Sequence, residues 1–378
     1  MRPRTFLGGA LALAITTQAQ GQALCPSVGQ RPMIFGQLVF QVVYPPDPGG
    51  ADANPSDVFY LDFQSGDPPS LVKAPLPSGM MDALNPVFSP DGAAMVFTAV
   101  ANNRHDIFYW PIGSSAAPIN LTGASPSPNE DARFSRDGSE MVWKSDCNLF
   151  VAPFSYDSSH QPVLGASTQI VTGSCGQTSE ASAPTFSPSA GSANPTAGSV
   201  FYFLGSTGPS GAAPEKIAAY SFSSRTSAAP FAQSAQNYYY FPVVGSTSSR
   251  LFYVSGGGSD KIFTYANADA ISGSATAFAA ADVNSDDSDP TPVDDDLFVF
   301  SRDHNVGGNA SYELYLGQPS TNQCWSLTSW VSFPNGDNVL GATYAPVATT
   351  PWSLNGPNYH PGNAASAPGS AGGARWWW

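Results

Sequence analysis

The stretch Asn85-Pro86-Val87-Phe88-Ser89-Pro90-Asp91-Gly92-Ala93-Ala94-Met95-Val96-Phe97 reads as a short strand, a tight turn and a second strand. It is echoed almost position by position by Asp131-Ala132-Arg133-Phe134-Ser135-Arg136-Asp137-Gly138-Ser139-Glu140-Met141-Val142-Trp143. A looser third copy is Ala183-Pro184-Thr185-Phe186-Ser187-Pro188, followed by Ser199-Val200-Phe201-Tyr202-Phe203. Asp-Gly between apolar β-formers is a strong hairpin signal, because glycine accepts the positive φ the turn demands. After each hairpin comes an aromatic-rich strand, as in Asp106-Ile107-Phe108-Tyr109, Asn148-Leu149-Phe150-Val151, Lys261-Ile262-Phe263-Thr264 and Glu313-Leu314-Tyr315-Leu316. A weaker fourth strand follows, as in Pro118-Ile119-Asn120-Leu121.

The copies recur at about 45 to 55 residues, the span that four short strands and their turns require. This periodicity predicts an all-β fold, a β-propeller of about six four-stranded blades, with blades starting near Asn85, Asp131, Ala183, Asn237 and Asp289. The segment from Met33 to Lys73 supplies only three strands, and Val339-Leu340-Gly341-Ala342-Thr343-Tyr344 reads as the missing first strand of that blade. The two ends of the domain then share a blade and close the ring, which removes free sheet edges. Seven blades, with one more in the irregular C-terminal stretch, is the alternative count.

Composition agrees with this reading. Charged residues make up 11 % of the 378-residue chain and aromatics 12 %, with 36 Gly and 35 Pro, so turns are frequent and helix formers scarce. The formal charge is −14, and Lys73, Lys144, Lys216 and Lys261 are the four lysines. No basic stripe able to displace counterions from phosphates is present, which argues against a nucleic-acid partner. Residues 1–23 read as a signal peptide: Met1-Arg2-Pro3-Arg4, an apolar run from Phe6 to Ile15, then Gly21-Gln22-Ala23 as the cleavage site. Residues 24–350 form the propeller, and 351–378 read as a low-complexity tail ending in Trp376-Trp377-Trp378. The expected product is a secreted monomer with no membrane partner once the leader is removed.

Secretion makes two disulfides the default for Cys25, Cys147, Cys175 and Cys324. Closeness in sequence favours Cys147 with Cys175, leaving Cys25 to tether the N-terminus to Cys324. Asn120-Leu121-Thr122 and Asn309-Ala310-Ser311 are glycosylation sequons at Asn120 and Asn309. Asp282, Asn284 and Asp286 offer oxygen ligands at alternate positions, as a calcium loop does, although a solvated acidic link between blades is the favoured reading.

The Phe-Ser-Pro-Asp-Gly core, with its following Val-Phe strand and later Asp-Ile-Phe-Tyr strand, resembles the repeat of TolB-like propellers. That family includes binding modules and enzymes, so the fold leaves function open. The chain is also similar to propeller-fold polysaccharide lyases, such as fungal enzymes that cut rhamnose from glucuronate, in being secreted, propeller-shaped and sparing with histidine.

Blade connectivity sorts the loops onto two faces. The loop between second and third strands lies on one, and the Asp-Gly turns lie on the other. The first face therefore collects Arg104 and His105, Asp146 and Cys147, Asp260, and Arg302, Asp303 and His304. Two histidines, each beside an arginine, match what β-elimination from a uronate glycan needs: arginine neutralises the carboxylate, and neutral imidazole takes the proton from the adjacent carbon. On this reading His105, with His304, supplies the base and Arg104 or Arg302 the carboxylate partner. Tyr240, Tyr312, Asp146 and Asp303 line the substrate site, and Tyr240 or Tyr312 acts as general acid. Two alternatives stand beside it: a non-catalytic module binding a glycan or protein on the same face, and a glycoside hydrolase built on two of Asp146, Asp260 and Asp303. A histidine in an exposed hairpin loop is by itself only a solvated polar residue.

Overall fold

The computed structural model describes residues 31–32, 34–44, 56–63, 70–76, 80–89, 91–175, 180–191, 196–205, 215–256, 259–278, 285–303, 312–327 and 338–345. The proposed leader (1–23), the tail (351–378), Cys25, His304, Asn309, Asp282 and Asn284 lie outside the described residues. Within them every regular element is a strand, and the strands make six sheets.

Blade 1 joins the chain's two ends: β1 (Gln37–Val43), β2 (Ser56–Asp62) and β3 (Ser70–Lys73) are completed by β25 (Asn338–Ala345), in the order β25-β1-β2-β3. Blade 2 is β4 (Met81–Phe88), β5 (Ala94–Ala101), β6 (Arg104–Pro111) and β7 (Ile119–Asn120). Blade 3 is β8 (Asn129–Phe134), β9 (Glu140–Ser145) and β10 (Asn148–Tyr156), with its outer edge split into β11 (Pro162–Leu164) and β12 (Thr168–Val171), each pairing one half of β10. Blade 4 is β13 (Glu180–Phe186), β14 (Ser199–Gly205), β15 (Lys216–Ser221) and β16 (Thr226–Ala228). Blade 5 is β17 (Tyr238–Val244), β18 (Leu251–Gly256), β19 (Lys261–Tyr265) and β20 (Thr276–Ala277). Blade 6 is β21 (Asp286–Pro292), β22 (Phe298–Asp303), β23 (Tyr312–Gln318) and β24 (Gln323–Ser326). The six-blade count and the shared closing blade are as the repeat predicts.

The repeat motif earns its conservation of spacing inside the chain through hydrogen bonds at the turn. Ser89 Oγ donates to Asp91 Oδ1 at 2.6 Å, the same oxygen accepts Ala93 N at 2.9 Å, and Gly92 N reaches Ser89 O at 2.8 Å with φ of 69°. The second copy repeats this: Ser135 Oγ to Asp137 Oδ1 at 2.7 Å, Ser139 N to the same oxygen at 3.1 Å, and Gly138 at φ 72°. Serine and aspartate thus satisfy backbone groups that the tight turn leaves unpaired.

Instead of one central core, the chain buries six apolar layers between neighbouring blades. Blades 1 and 2 meet through Val39, Val58, Phe97 and Trp110, and blades 5 and 6 through Phe252, Val254, Phe298 and Phe300. The layer that closes the ring joins blade 6 to blade 1 through Val299, Leu314 and Leu316 against Phe40, Leu61 and Tyr344. Because middle strands are covered on both faces, β18 and β22 are buried along their whole length.

The disulfide Cys147–Cys175 forms as the spacing suggests, with Cα atoms 5.2 Å apart, and ties the start of β10 to the segment after β12. Cys324 is also disulfide-bonded.

Candidate binding site at the mouth of the central channel

The site begins with an irregularity repeated around the ring. On the innermost strand of every blade two residues face one residue of the next strand, a β-bulge. The bulged residue is left-handed each time: Asn85 (φ 50°), Asp131 (57°), Ala183 (43°), Phe241 (46°), Asp289 (47°) and Gly341 (60°). Asn, Asp and Gly tolerate this region, whereas Ala and Phe occupy it at a cost of roughly 1–2 kcal/mol each. All six line a single cavity of about 290 Å³ along the propeller axis.

Hydrogen bonds across blades lock the ring. Asn85 N donates to Gln41 Oε1 at 2.6 Å, and Asn85 Nδ2 donates to Asp131 Oδ1. Asp131 Oδ2 accepts Ser182 Oγ at 3.1 Å and Ala183 N at 3.2 Å, so both its oxygens are engaged. Asp289 Oδ2 accepts Gly341 N at 3.3 Å, and burial pushes the Asp289 carboxyl up to about 6.

Two residues beyond each bulge the repeat reads Val87, Arg133, Thr185, Val243, Thr291 and Thr343, so one blade sets an arginine where the others set valine or threonine. Arg133 lines both the 290 Å³ cavity and a smaller one of about 90 Å³ toward the Asp-Gly turns. Its Nη1 donates to Ala132 O at 3.0 Å. Burial lowers the guanidinium's pKa, and the charges of Asp131 and Asp289 oppose that.

Above the cavity, blades 5 and 6 present an acidic arc. Tyr312 lines the cavity wall, and its phenol is pushed up to about 12 by burial and by Asp303, Asp286, Asp289 and Asp260. Tyr240 Oη donates to Asp260 Oδ2, and Asp286 Oδ1 accepts Asp260 N at 2.8 Å. Both phenols therefore stay protonated near neutrality, as donors beside a row of acceptors. On the opposite arc, His105 Nδ1 lies 2.5 Å from Glu130 Oε1, and Lys144 Nζ bridges Glu130 (3.2 Å) and Glu180 (2.6 Å).

Arg104, Arg302 and Asp146, also expected at the site, do not line the cavity. Arg104 forks Asp106 with Nε at 3.2 Å and Nη2 at 2.9 Å, and Asp106 also accepts Asn120 Nδ2 at 3.0 Å. Arg302 is fully buried, forking Asp287 at 2.6 and 2.9 Å between the rings of Phe300 and Tyr315. Each guanidinium is thus already paired with a carboxylate of the protein. Asp146 is exposed at the β9–β10 turn, and Asp303 is buried at the end of β22. Among the described residues no group of three or more His, Cys, Asp or Glu side chains is placed to hold a metal ion.

The His105–Glu130 contact raises the imidazole pKa, chiefly through their hydrogen bond, and holds Glu130 down at about 2. His105 supports the fold below its ordinary value of 6.5 and loses that support as pH rises through its raised pKa. Glu130 supports it above its ordinary 4.5 and loses that support as pH falls toward 2. His105→Ala should therefore destabilise most between about pH 4.5 and 6.5, by no more than about 1 kcal/mol since the pair is partly exposed, and least in alkali. Urea midpoints of both proteins across pH 4 to 9 check this.

No family model matches the chain, and no curated protein matches it. Solved structures do share its fold. TolB from Acinetobacter baumannii superposes with a TM-score of 0.54 at 13 % identity, over 82 % of this chain and 67 % of that one. Hydrazine synthase of Kuenenia stuttgartiensis gives 0.57 at 13 % identity over 85 % of this chain, which spans about half (48 %) of that protein. Oligogalacturonate lyase from Vibrio parahaemolyticus is looser, at 0.45 and 9 % identity over 78 % and 74 %, and carries no weight on chemistry. The first two likenesses establish a TolB-like propeller fold and leave activity to the site itself.

Proposed function

We propose that this TolB-like propeller is a recognition module of an oxidising, extracytoplasmic compartment, binding a small hydrogen-bond-donating ligand through the channel mouth. The arrangement that carries this reading is the acceptor-rich wall of Tyr240–Asp260, Asp286 and Tyr312 over a cavity ringed by six bulged strands. A rigid ring of that kind positions groups without needing them to turn over, and pre-formed pockets with few convergent polar groups are the usual binding sites. The Cys147–Cys175 disulfide supports the compartment.

The second reading is a lyase acting on uronate glycans, favoured by the one-third-exposed His105 held against Glu130, as an oriented base would be. Against it, Arg104 and Arg302 are both committed to protein carboxylates, and the acidic arc repels a polyanion. One set of incubations separates the two. Thermal-shift titration with neutral sugars, amino acids and uronate oligomers should show a small ligand raising the melting temperature, and Tyr312→Arg, which fills the mouth, should cancel the shift. Appearance of unsaturated, ultraviolet-absorbing products from the uronate, lost in His105→Ala, would replace recognition with elimination.

A further inference from the structure

Arg133 is the cation of the channel that the rest of the ring does not explain. Among the described residues its one hydrogen bond goes to Ala132 O and no carboxylate lies within ion-pair distance of it. A guanidinium carries five N–H donors in a fixed fork, so most of this one is left to whatever occupies the cavity. Asp131 makes no ion pair with it among the described residues; its oxygens take Asn85, Ser182 and Ala183 instead. The repeat itself does not call for an arginine here: five blades build the same position with Val87, Thr185, Val243, Thr291 and Thr343.

The charges around it narrow the occupant. A bare anion that reached Arg133 would also meet Asp131 and Asp289, after passing Asp260, Asp286 and Asp303. A bare cation would be drawn by the acidic arc and then face the guanidinium. A molecule carrying both charges satisfies each in turn, with its carboxylate leading to the inner end and its ammonium trailing toward Asp289 and the arc. Asp289, at about 6, is ionised at neutral pH and accepts such an ammonium. The volume of about 290 Å³ admits a molecule of amino-acid size.

From this geometry we infer that the channel cavity is a subsite for a free amino acid or similar small zwitterion, its carboxylate forked by Arg133 and its ammonium held on the Asp289 side. The inference rests on the recognition reading and gives it a ligand class. Both groups are needed because bidentate pairing at Arg133 fixes one end and the buried carboxylate the other.

Calorimetric titration at pH 7.5 with glycine, L-lysine, acetate and methylamine tests it on the full chain and on Arg133→Val. Glycine or L-lysine should bind the parent protein at least tenfold more tightly than acetate or methylamine, and Arg133→Val should lose that binding while its urea midpoint stays near the parent's. Arg133→Lys, which keeps the charge but not the fork, should recover only part of it. Acetate binding as well as glycine would overturn the inference, as would amino-acid binding unchanged by Arg133→Val. Sugars binding where amino acids do not would remove the inference and leave recognition standing, whereas uronate cleavage would remove both.

Discussion

A chain ending at Asp337, and so lacking β25, should show no cooperative unfolding transition, whereas one ending at Ala345 should melt as the full protein does. β25 is the innermost strand of blade 1 although it comes last among the described strands, and it pairs β1 from Gln37↔Ala345 to Val43↔Asn338. Its loss strips the closing layer of Val339, Ala342 and Tyr344 and exposes β1 as a free edge. It also breaks links to neighbouring blades: Ser301 Oγ to Val339 O (3.0 Å), Tyr312 N to Asn338 Oδ1 (3.0 Å) and Thr343 Oγ1 to Pro86 O (2.9 Å). Buried aliphatic and aromatic side chains contribute about 1.5–3 kcal/mol each, so their combined loss rivals the roughly 5–15 kcal/mol that holds a whole domain together. Circular dichroism melts and gel filtration of the two truncations check this. A sharp transition in the shorter chain would mean that the ring does not depend on the shared blade.

Asp287→Ala should cost about 3–5 kcal/mol, the range for removing one partner of a fully buried ion pair. Arg302 and Asp287 are each 0 % exposed, and the fork between them leaves the guanidinium nowhere to reach water. Burial raises the Asp287 carboxyl while Arg302 holds it down, so the carboxylate depends on its partner. The double variant Arg302→Met with Asp287→Leu removes both charges at similar volume and should recover most of the loss, since a well-packed apolar pair is often as stable as the ions it replaces. Urea denaturation of the single and double variants measures the difference. A single-variant loss under 1 kcal/mol would show that water reaches the pair.

That pair also shows where the sequence is silent. The six-blade ring is legible because it rests on local signals: Asp-Gly turns, alternating apolar strands, and a period that four strands impose. Arg302 looks like a candidate for substrate binding because it sits beside Asp303 and His304 at the end of a strand. Its commitment to Asp287 on the neighbouring strand depends on register, Arg302↔Asp287, which composition does not reveal. Arg104 and Asp106 are two residues apart on one strand and so share a face, and their fork also draws in Asn120 from the adjoining strand.

Arg133 is the opposite case, since its signal is present in the repeat itself. Aligning Asn85-Pro86-Val87 with Asp131-Ala132-Arg133 puts a charge where the pattern is valine or threonine, and that exception marks the channel better than histidine does. The bulge hides it: by strict alternation the left-handed residue and its successor would trade faces, and only the register shift fixes which side chain meets the cavity. Tyr312 lines the cavity, whereas Tyr240 is turned to Asp260.

The most direct test of a ligand-taking channel is a crystal structure of the full chain grown with L-lysine at saturating concentration. The account predicts density for the amino acid between Arg133 and Tyr312, its carboxylate on the guanidinium. An empty cavity under those conditions, or lysine bound only on the outer surface of the blades, would contradict it.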